Sequence, residues 1–304
     1  MILGVDIGGT SAKIALVDEK GRVCRQTEVA TNSDGYETPV IDSVMEGVEA
    51  FLAKNGVTPE GIGVSATGQI DDENGIVIGT NGKIPHYEGT EIRRVLGERF
   101  HVPVWVLNDA NAAALGECFA GRGKGKKNVI MITLGTGVGG GIVLNGQVYG
   151  GRRGIAGEIG HFTLYQDGAP CPCGKRGCYE SYASTSALVE RGRKTFARKD
   201  LDGRRIFAMA QNGDADALRL LDGWISDIAA GIGSLVHIFN PEMVLIGGGV
   251  SRQEKLLMEP LREKVFAQIM PRFREGLAVE AAALGNDAGV IGAAAYWMDR
   301  ENRR

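Results

Sequence analysis

The chain has 304 residues, 43% of them hydrophobic, and a formal net charge of −3. That is enough apolar material for two compact cores, and the length suggests about two domains. The lack of a basic excess excludes a general nucleic-acid binder. No apolar run nears the roughly 20 residues that span a bilayer, and no basic start precedes one, so a soluble, cytoplasmic protein without a membrane partner is expected.

In chain order, residues 2–5 read as a short apolar strand, followed by Asp6-Ile7-Gly8-Gly9-Thr10. Residues 12–17 alternate and read as a second strand, with 18–21 as a turn into a third. The plan recurs: residues 129–134 form a strand, 135–141 a glycine turn, 142–144 a strand, and Asn145-Gly146 a favoured hairpin turn. Such an internal repeat points to two domains with related cores. Further strands are predicted at 61–65, 102–107 and 243–246. Helices are predicted at 39–55, 111–120, 185–196, 214–239 and 255–269. Strands alternating with helices imply an α/β architecture with largely parallel sheets and early antiparallel hairpins. Residues 119–128, polar, glycine-rich and basic, read as the connection between domains.

Glycine is the compositional outlier, with 46 residues against a usual share of about 7%. Its clusters follow apolar strands, where the backbone bends sharply or approaches a ligand. In the first turn Gly8 and Gly9 leave room for a phosphate. Thr10 offers a hydroxyl, and Asp6 stands where a carboxylate can hold magnesium through water; a plain hairpin explains this turn alone equally well. The second turn, with Gly135, Thr136, Gly137 and Gly139, presents backbone N–H groups suited to an anion. The third, with Gly248 and Gly249 after the strand at 243–246, leaves space for a flat adenine or ribose. The Walker A pattern is absent, so bound ATP does not rest on a P-loop.

Asn108 and Asp109 stand where a buried strand gives way to an alanine-rich helix. Both types favour the N-cap, which is one reading; a carboxylate accepting a hydroxyl proton is the other. His161, Cys171, Cys173 and Cys178, separated by nine, one and four residues, offer four ligands for tetrahedral zinc. Because all four are protein ligands the site is closed, so zinc would shape a loop and not activate water. Five cysteines in all, an odd number with three inside eight residues, fit this better than a disulfide framework. Glu158 and Glu180 flank the loop; taken alone each reads more readily as a surface glutamate, though carboxylates near a rigid loop can accept bonds from vicinal sugar hydroxyls.

Together these stretches, with Glu180-Ser181-Tyr182-Ala183-Ser184 and Gly285-Asn286-Asp287-Ala288-Gly289, resemble the ROK family of sugar kinases and repressors over nearly the whole chain. The resemblance implies two ribonuclease H-like domains of the hexokinase–actin type around a central cleft. Residues 1–120 plus 287–304 would form the smaller domain and 121–286 the larger, with the last helix returning to the first. It implies Asp109 as general base. Asn108, Glu158, His161 and Glu180 would be sugar ligands, with Gly68 near the sugar. Asp6, Gly8, Gly9, Thr10, Lys13, Gly135, Thr136, Gly137, Gly139, Gly248 and Gly249 would hold the nucleotide. ATP with Mg2+ and a structural Zn2+ on His161, Cys171, Cys173 and Cys178 are the implied cofactors, and a homodimer the implied assembly. The implied reaction is transfer of the γ-phosphoryl of ATP to the 6-hydroxyl of a hexose, most often glucose. Ser65-Ala66-Thr67-Gly68 replaces the Pro-Gly pair of many glucokinases and is similar to the N-acetylmannosamine kinases of the family. The family's repressors carry a winged helix-turn-helix segment ahead of the first strand, and here that strand starts at residue 2.

Overall fold

A computed structural model describes residues 1–80 and 82–304. The strands are β1 (Ile2–Ile7), β2 (Ser11–Val17), β3 (Val23–Ala30), β4 (Ile62–Ala66), β5 (Gln69–Asp71), β6 (Ile76–Gly79), β7 (Val104–Asn108), β8 (Val129–Leu134), β9 (Val138–Leu144), β10 (Gln147–Val148), β11 (Met243–Gly247) and β12 (Ala278–Ala281). The helices are α1 (Val40–Asn55), α2 (Ile92–Phe100), α3 (Asp109–Ala120), α4 (Glu180–Ala183), α5 (Thr185–Thr195), α6 (Gly203–Gln211), α7 (Ala215–Phe239), α8 (Glu259–Gln268), α9 (Pro271–Arg274) and α10 (Ala288–Glu301). The chain divides into two compact units: Met1–Lys127, Gly141–Gly157 and Ala283–Arg304 make the first, and Asn128–Gly140 and Glu158–Ala282 the second. Residues 121–127, 141–157 and 283–286, assigned to the second domain from the sequence, thus group with the first unit, and the division falls inside β9.

The first unit is built on the sheet β3-β2-β1-β4-β7. β1, β2 and β3 pair antiparallel, while β4 pairs parallel to both β1 and β7. One face is covered by α10, whose residues from Ala288 to Tyr296 are all buried. Glycine makes that closeness physical: a Cβ on Gly63 of β4 would lie 2.0 Å from the carbonyl oxygen of Ala293, and one on Gly292 would lie 1.7 Å from that of Ala112 in α3. Another core joins Val44, Val48 and Phe51 of α1 and Ile92 and Leu96 of α2 to the sheet residues Leu3, Val5, Ile14 and Val64.

In the second unit β8, β11 and β12 run parallel, with β11 between the other two. The long helix α7 buries Trp224, Ile228 and Ile232 against Ile130, Ile132 and Ile246 of the sheet and Leu188 of α5. Asp214 caps α7 by accepting N–H bonds from Asp216 and Ala217, and Asn240 ends it in the left-handed region at φ 43°. The Trp224 indole N–H donates to the carbonyls of Ala183 and Ser184, tying α4 and α5 to the core.

The mixed α/β expectation holds, and the differences have local causes. β9 starts at Val138, so the turn is only residues 135–137 and Gly139 is a strand residue. A Cβ on Gly141 in the same strand would lie 2.5 Å from the carbonyl oxygen of Ala110, so a side chain is excluded there by packing. The helix expected over 255–269 is a π turn at Glu254–Met258 followed by α8, with Pro260 in its first turn, where no N–H is needed. α2, α6, β5, β6 and β12 have no counterpart in the sequence reading. They are short, nine residues or fewer each, too short for a period to stand out.

Candidate active site

In the first unit the ends of β1, β4 and β7 carry the polar residues. Asn108 ends β7, and its side-chain oxygen accepts the N–H groups of Ala110 and Asn111, so Asn108 is the N-cap of α3. Its amide nitrogen donates to the Gly68 carbonyl at 2.9 Å and to Asp109 Oδ1 at 3.0 Å. Asp109 is therefore the first helical residue and not the cap. Its Oδ1 also accepts from the Ala110 N–H at 2.7 Å, and the Thr67 side chain bonds the carboxylate too. A carboxylate offers about four acceptor positions, so one remains for a ligand proton. Burial pushes the Asp109 carboxyl up to about 6, and the Asp6 charge adds to this, against the lowering effect of the Ala110 N–H and the Thr67 and Asn108 bonds.

Asp6, at the end of β1, is raised in the same way by burial, opposed by the hydroxyl of Ser65, which donates to it at 2.6 Å, and by the charge of Lys13. Lys13 Nζ donates to Asp287 Oδ1 at 2.9 Å and to the Asn286 carbonyl at 2.6 Å. The 285–289 stretch thereby joins the first turn, and Gly289 sits where a Cβ would lie 2.5 Å from the Asp6 carboxyl. The turn itself closes through the Gly8 N–H on the Ser11 carbonyl, and the Gly9 carbonyl accepts from Thr31 and Tyr36; Thr10 is exposed. In the sequence Thr67 stands out only as part of the Ser65–Gly68 stretch, and Tyr87 carries no signal there. The buried Tyr87 hydroxyl has no partner among the described residues, and its titration is raised by burial and then by the charges of Asp109 and Asp6.

In the second unit Val138 is the meeting point. Its N–H donates to Glu180 Oε2 at 2.9 Å, and Gly160 lies so close that a Cβ there would stand 2.4 Å from the Val138 carbonyl oxygen. Glu180, Gly137 and the turn that holds Glu158 and His161 are thus brought together; the Glu158 carbonyl accepts from the His161 N–H, and the Glu158 side chain is exposed. Gly135, Thr136 and Gly249 line a cavity of about 690 Å³ with Leu134, Thr185, Glu190 and Arg193. Gly248 beside it has φ +92°, and a Cβ there would lie 2.1 Å from the Leu134 carbonyl oxygen. The α5 residues of this wall gave no signal in the sequence, because they read as one face of an ordinary helix. Gly139, inside β9, does not line the cavity.

The ligand atoms of His161, Cys171, Cys173 and Cys178 lie within 4.8 Å of one another. Cys171 Sγ is 3.6 Å from His161 Nδ1, and Cys173 Sγ is 3.6 Å from Cys178 Sγ. Tetrahedral zinc with its usual bond lengths needs edges of roughly 3.5–3.8 Å, so this donor set fits the ion. Burial first, and the neighbouring thiols second, push Cys178 up to about 12, a cost that a bound cation offsets. The Lys175 ammonium donates to the His161 carbonyl, which holds the loop at its histidine end.

A mixed α/β fold with two five-stranded sheets, polar strand ends and a loop of one histidine and three cysteines defines the class, and the sequence pattern of the ROK family matches residues 2–300. The chain belongs to the ROK family. It is 36% identical to the glucokinase of Thermotoga maritima over 312 residues, 98% of each chain. Its fold matches the crystal structure of a ROK family glucokinase from Streptomyces griseus in complex with glucose and AMPPNP, at 34% identity and TM-score 0.80, covering 96% of this chain and 97% of that one. It also matches a putative N-acetylmannosamine kinase from Listeria monocytogenes, at 30% identity and TM-score 0.83 over 99% of both chains. A xylose repressor of Bacillus spizizenii is related at 27% identity, over 95% of this chain and 75% of the repressor.

Proposed function

We propose that this chain is an ATP-dependent hexose kinase that transfers the γ-phosphoryl group to a sugar 6-hydroxyl, glucose being the first candidate. The observation that carries the reading is Asp109: a half-buried carboxylate that desolvation raises to about 6, oriented by Asn108, Thr67 and the Ala110 N–H. Such a group is mostly ionised at neutral pH yet basic enough to accept a hydroxyl proton. In the reaction the O–H bond of the sugar breaks, its proton passes to Asp109, the oxygen bonds the γ-phosphorus, and ADP leaves. Little covalent work falls to the protein in such transfers, so positioning and charge carry the rate.

In this reading Asn108, Glu158, His161 and Glu180 bind sugar hydroxyls, with Gly68 beside Asn108. His161 gives Nδ1 to zinc and keeps its other ring nitrogen for the substrate. The cavity along Gly135, Thr136, Gly249 and α5 takes the nucleoside, and Gly137 and Gly248 shape its rim. Asp6, Gly8, Gly9, Thr10 and Lys13 face the phosphates and their magnesium ion, which supplies charge neutralisation when bound. Support comes from the identity to glucokinases and from room for a nucleotide in the second unit. The runner-up substrate is N-acetylmannosamine, favoured by Ser65-Ala66-Thr67-Gly68 and the Listeria relative.

The test is ADP release from MgATP with glucose, mannose, glucosamine, N-acetylglucosamine, N-acetylmannosamine, fructose and allose in parallel. Glucose should give the highest kcat/KM. Preference for N-acetylmannosamine would move the assignment to the runner-up, and no sugar-dependent release with any of the seven would overturn the kinase reading.

A further inference from the structure

Trp105 lies near the start of β7, buried, and three guanidinium groups gather on its indole. The Cζ atoms of Arg93, Arg300 and Arg304 stand 4.0, 4.3 and 5.1 Å from the ring centroid. Any two of them are therefore within about 10 Å of each other, inside roughly one Debye length at 0.1 M salt, so solution ions screen their repulsion only partly. The compensating charge is small. Glu301 accepts the Trp105 indole N–H at 2.8 Å and pairs with Arg304 at 3.1 Å. Neither Arg93 nor Arg300 forms an ion pair among the described residues. Arg93 is nonetheless held still: it is half-buried, and its Nη1 donates to the Glu73 carbonyl at 2.7 Å. Arg300 is also braced, 5.7 Å from the Tyr296 ring.

Like charges kept together on an aromatic platform repel one another, a cost that a bound anion offsets, and the planar guanidinium forks match the oxygens of a phosphate. The geometry points to a binding site for a phosphate-bearing anion on this platform, with Arg93 and Arg300 as its principal donors. Three guanidiniums against one carboxylate leave an excess that suits a phosphate dianion better than a single carboxylate. Burial, and then the charges of Arg304 and Arg300, pull the Arg93 guanidinium below its ordinary value, the strain such an anion would relieve. The site stands on the first unit alone. It is about 10 Å along β7 from Asn108, and it does not depend on the kinase reading.

The experiment is calorimetric titration of the full, zinc-loaded chain with inorganic phosphate and, separately, with glucose 6-phosphate, at 50 and 200 mM NaCl. At least one probe should bind once per chain and bind more weakly at the higher salt. Arg93→Gln with Arg300→Gln should weaken that binding at least tenfold while sugar-dependent turnover stays within twofold of the parent. Where the affinity is lost in the double variant, equal affinity of the parent for the two probes identifies the phosphate group itself as the ligand, and tighter binding of the ester identifies a metabolite; both then support the site, whereas ester binding that the variant keeps belongs to the product site and counts against it. No binding of either probe, or undiminished binding in the double variant, overturns it. Should the double variant fail to fold, Arg300→Gln alone decides, since it breaks no hydrogen bond among the described residues, and at least threefold weaker binding is expected.

Discussion

Replacing Asp109 by Asn tests the proposed base from two directions. The amide is close in size and keeps an oxygen for the Ala110 N–H, so sugar binding should persist while proton acceptance is lost. General-base catalysis contributes roughly 10²–10⁴-fold. We therefore expect kcat to fall by about that factor, with the sugar KM changed only a few-fold. The same substitution should stabilise the fold at neutral pH. In the folded protein Asp109 titrates at about 6, against 3.8 ordinarily, so the folded state holds its proton more tightly. The stability that proton brings is complete below pH 3.8 and is lost as pH rises through 6. Above that window the buried charge costs up to about 3 kcal/mol, at 1.36 kcal/mol per pH unit. Asn carries no charge, so the variant should melt a few degrees above the parent at pH 7.5, and the advantage should vanish near pH 4. The assays are steady-state ADP release and thermal melts of both proteins at pH 4 and 7.5. Parent kcat/KM should climb through about pH 6 to a plateau. A near-parental kcat would remove Asp109 from the base role. A melting difference independent of pH would refute the argument from burial.

Three further outcomes are expected. Metal analysis should find about one zinc per chain, and Cys178→Ser should lose it together with much of the folded yield; zinc-free protein with parental activity and melting would exclude a metal centre on His161 and the three cysteines. Glu180→Ala should raise the KM for both sugar and MgATP, because it removes a proposed sugar ligand and also frees the Val138 N–H that shapes the glycine turn. An effect on the sugar KM alone would show that the turn holds without it. Gly248→Ala should cost about 2 kcal/mol or more in denaturant unfolding, from its φ of +92° and the overlap with the Leu134 carbonyl; unchanged stability would contradict the described turn.

Much of the candidate site was legible because its parts are contiguous in the chain. The ligand atoms of His161 and the three cysteines do converge within 4.8 Å, as spacing alone suggested. The turn at Gly8-Gly9 and the strand end at Asn108-Asp109 stand where the apolar runs stop. What stayed hidden depends on partners far apart in sequence. Lys13 reaches Asp287, 274 positions away. α10, buried from Ala288 to Tyr296, lacks the one-sided pattern that marks a surface helix.

Asp109 shows the division most clearly. The sequence determined that an Asn-Asp pair opens an alanine-rich helix after a buried strand, since the run Val104-Trp105-Val106-Leu107 and the alanines after it dictate both elements. It left open which of the two residues caps the helix. The tertiary structure gave the cap to Asn108, whose side chain is also claimed by the Gly68 carbonyl 40 positions away. It left Asp109 a half-buried carboxylate near Asp6, raised to about 6 by desolvation. Burial and neighbouring charge are sums over everything packed around a group, and no local stretch of sequence contains that sum.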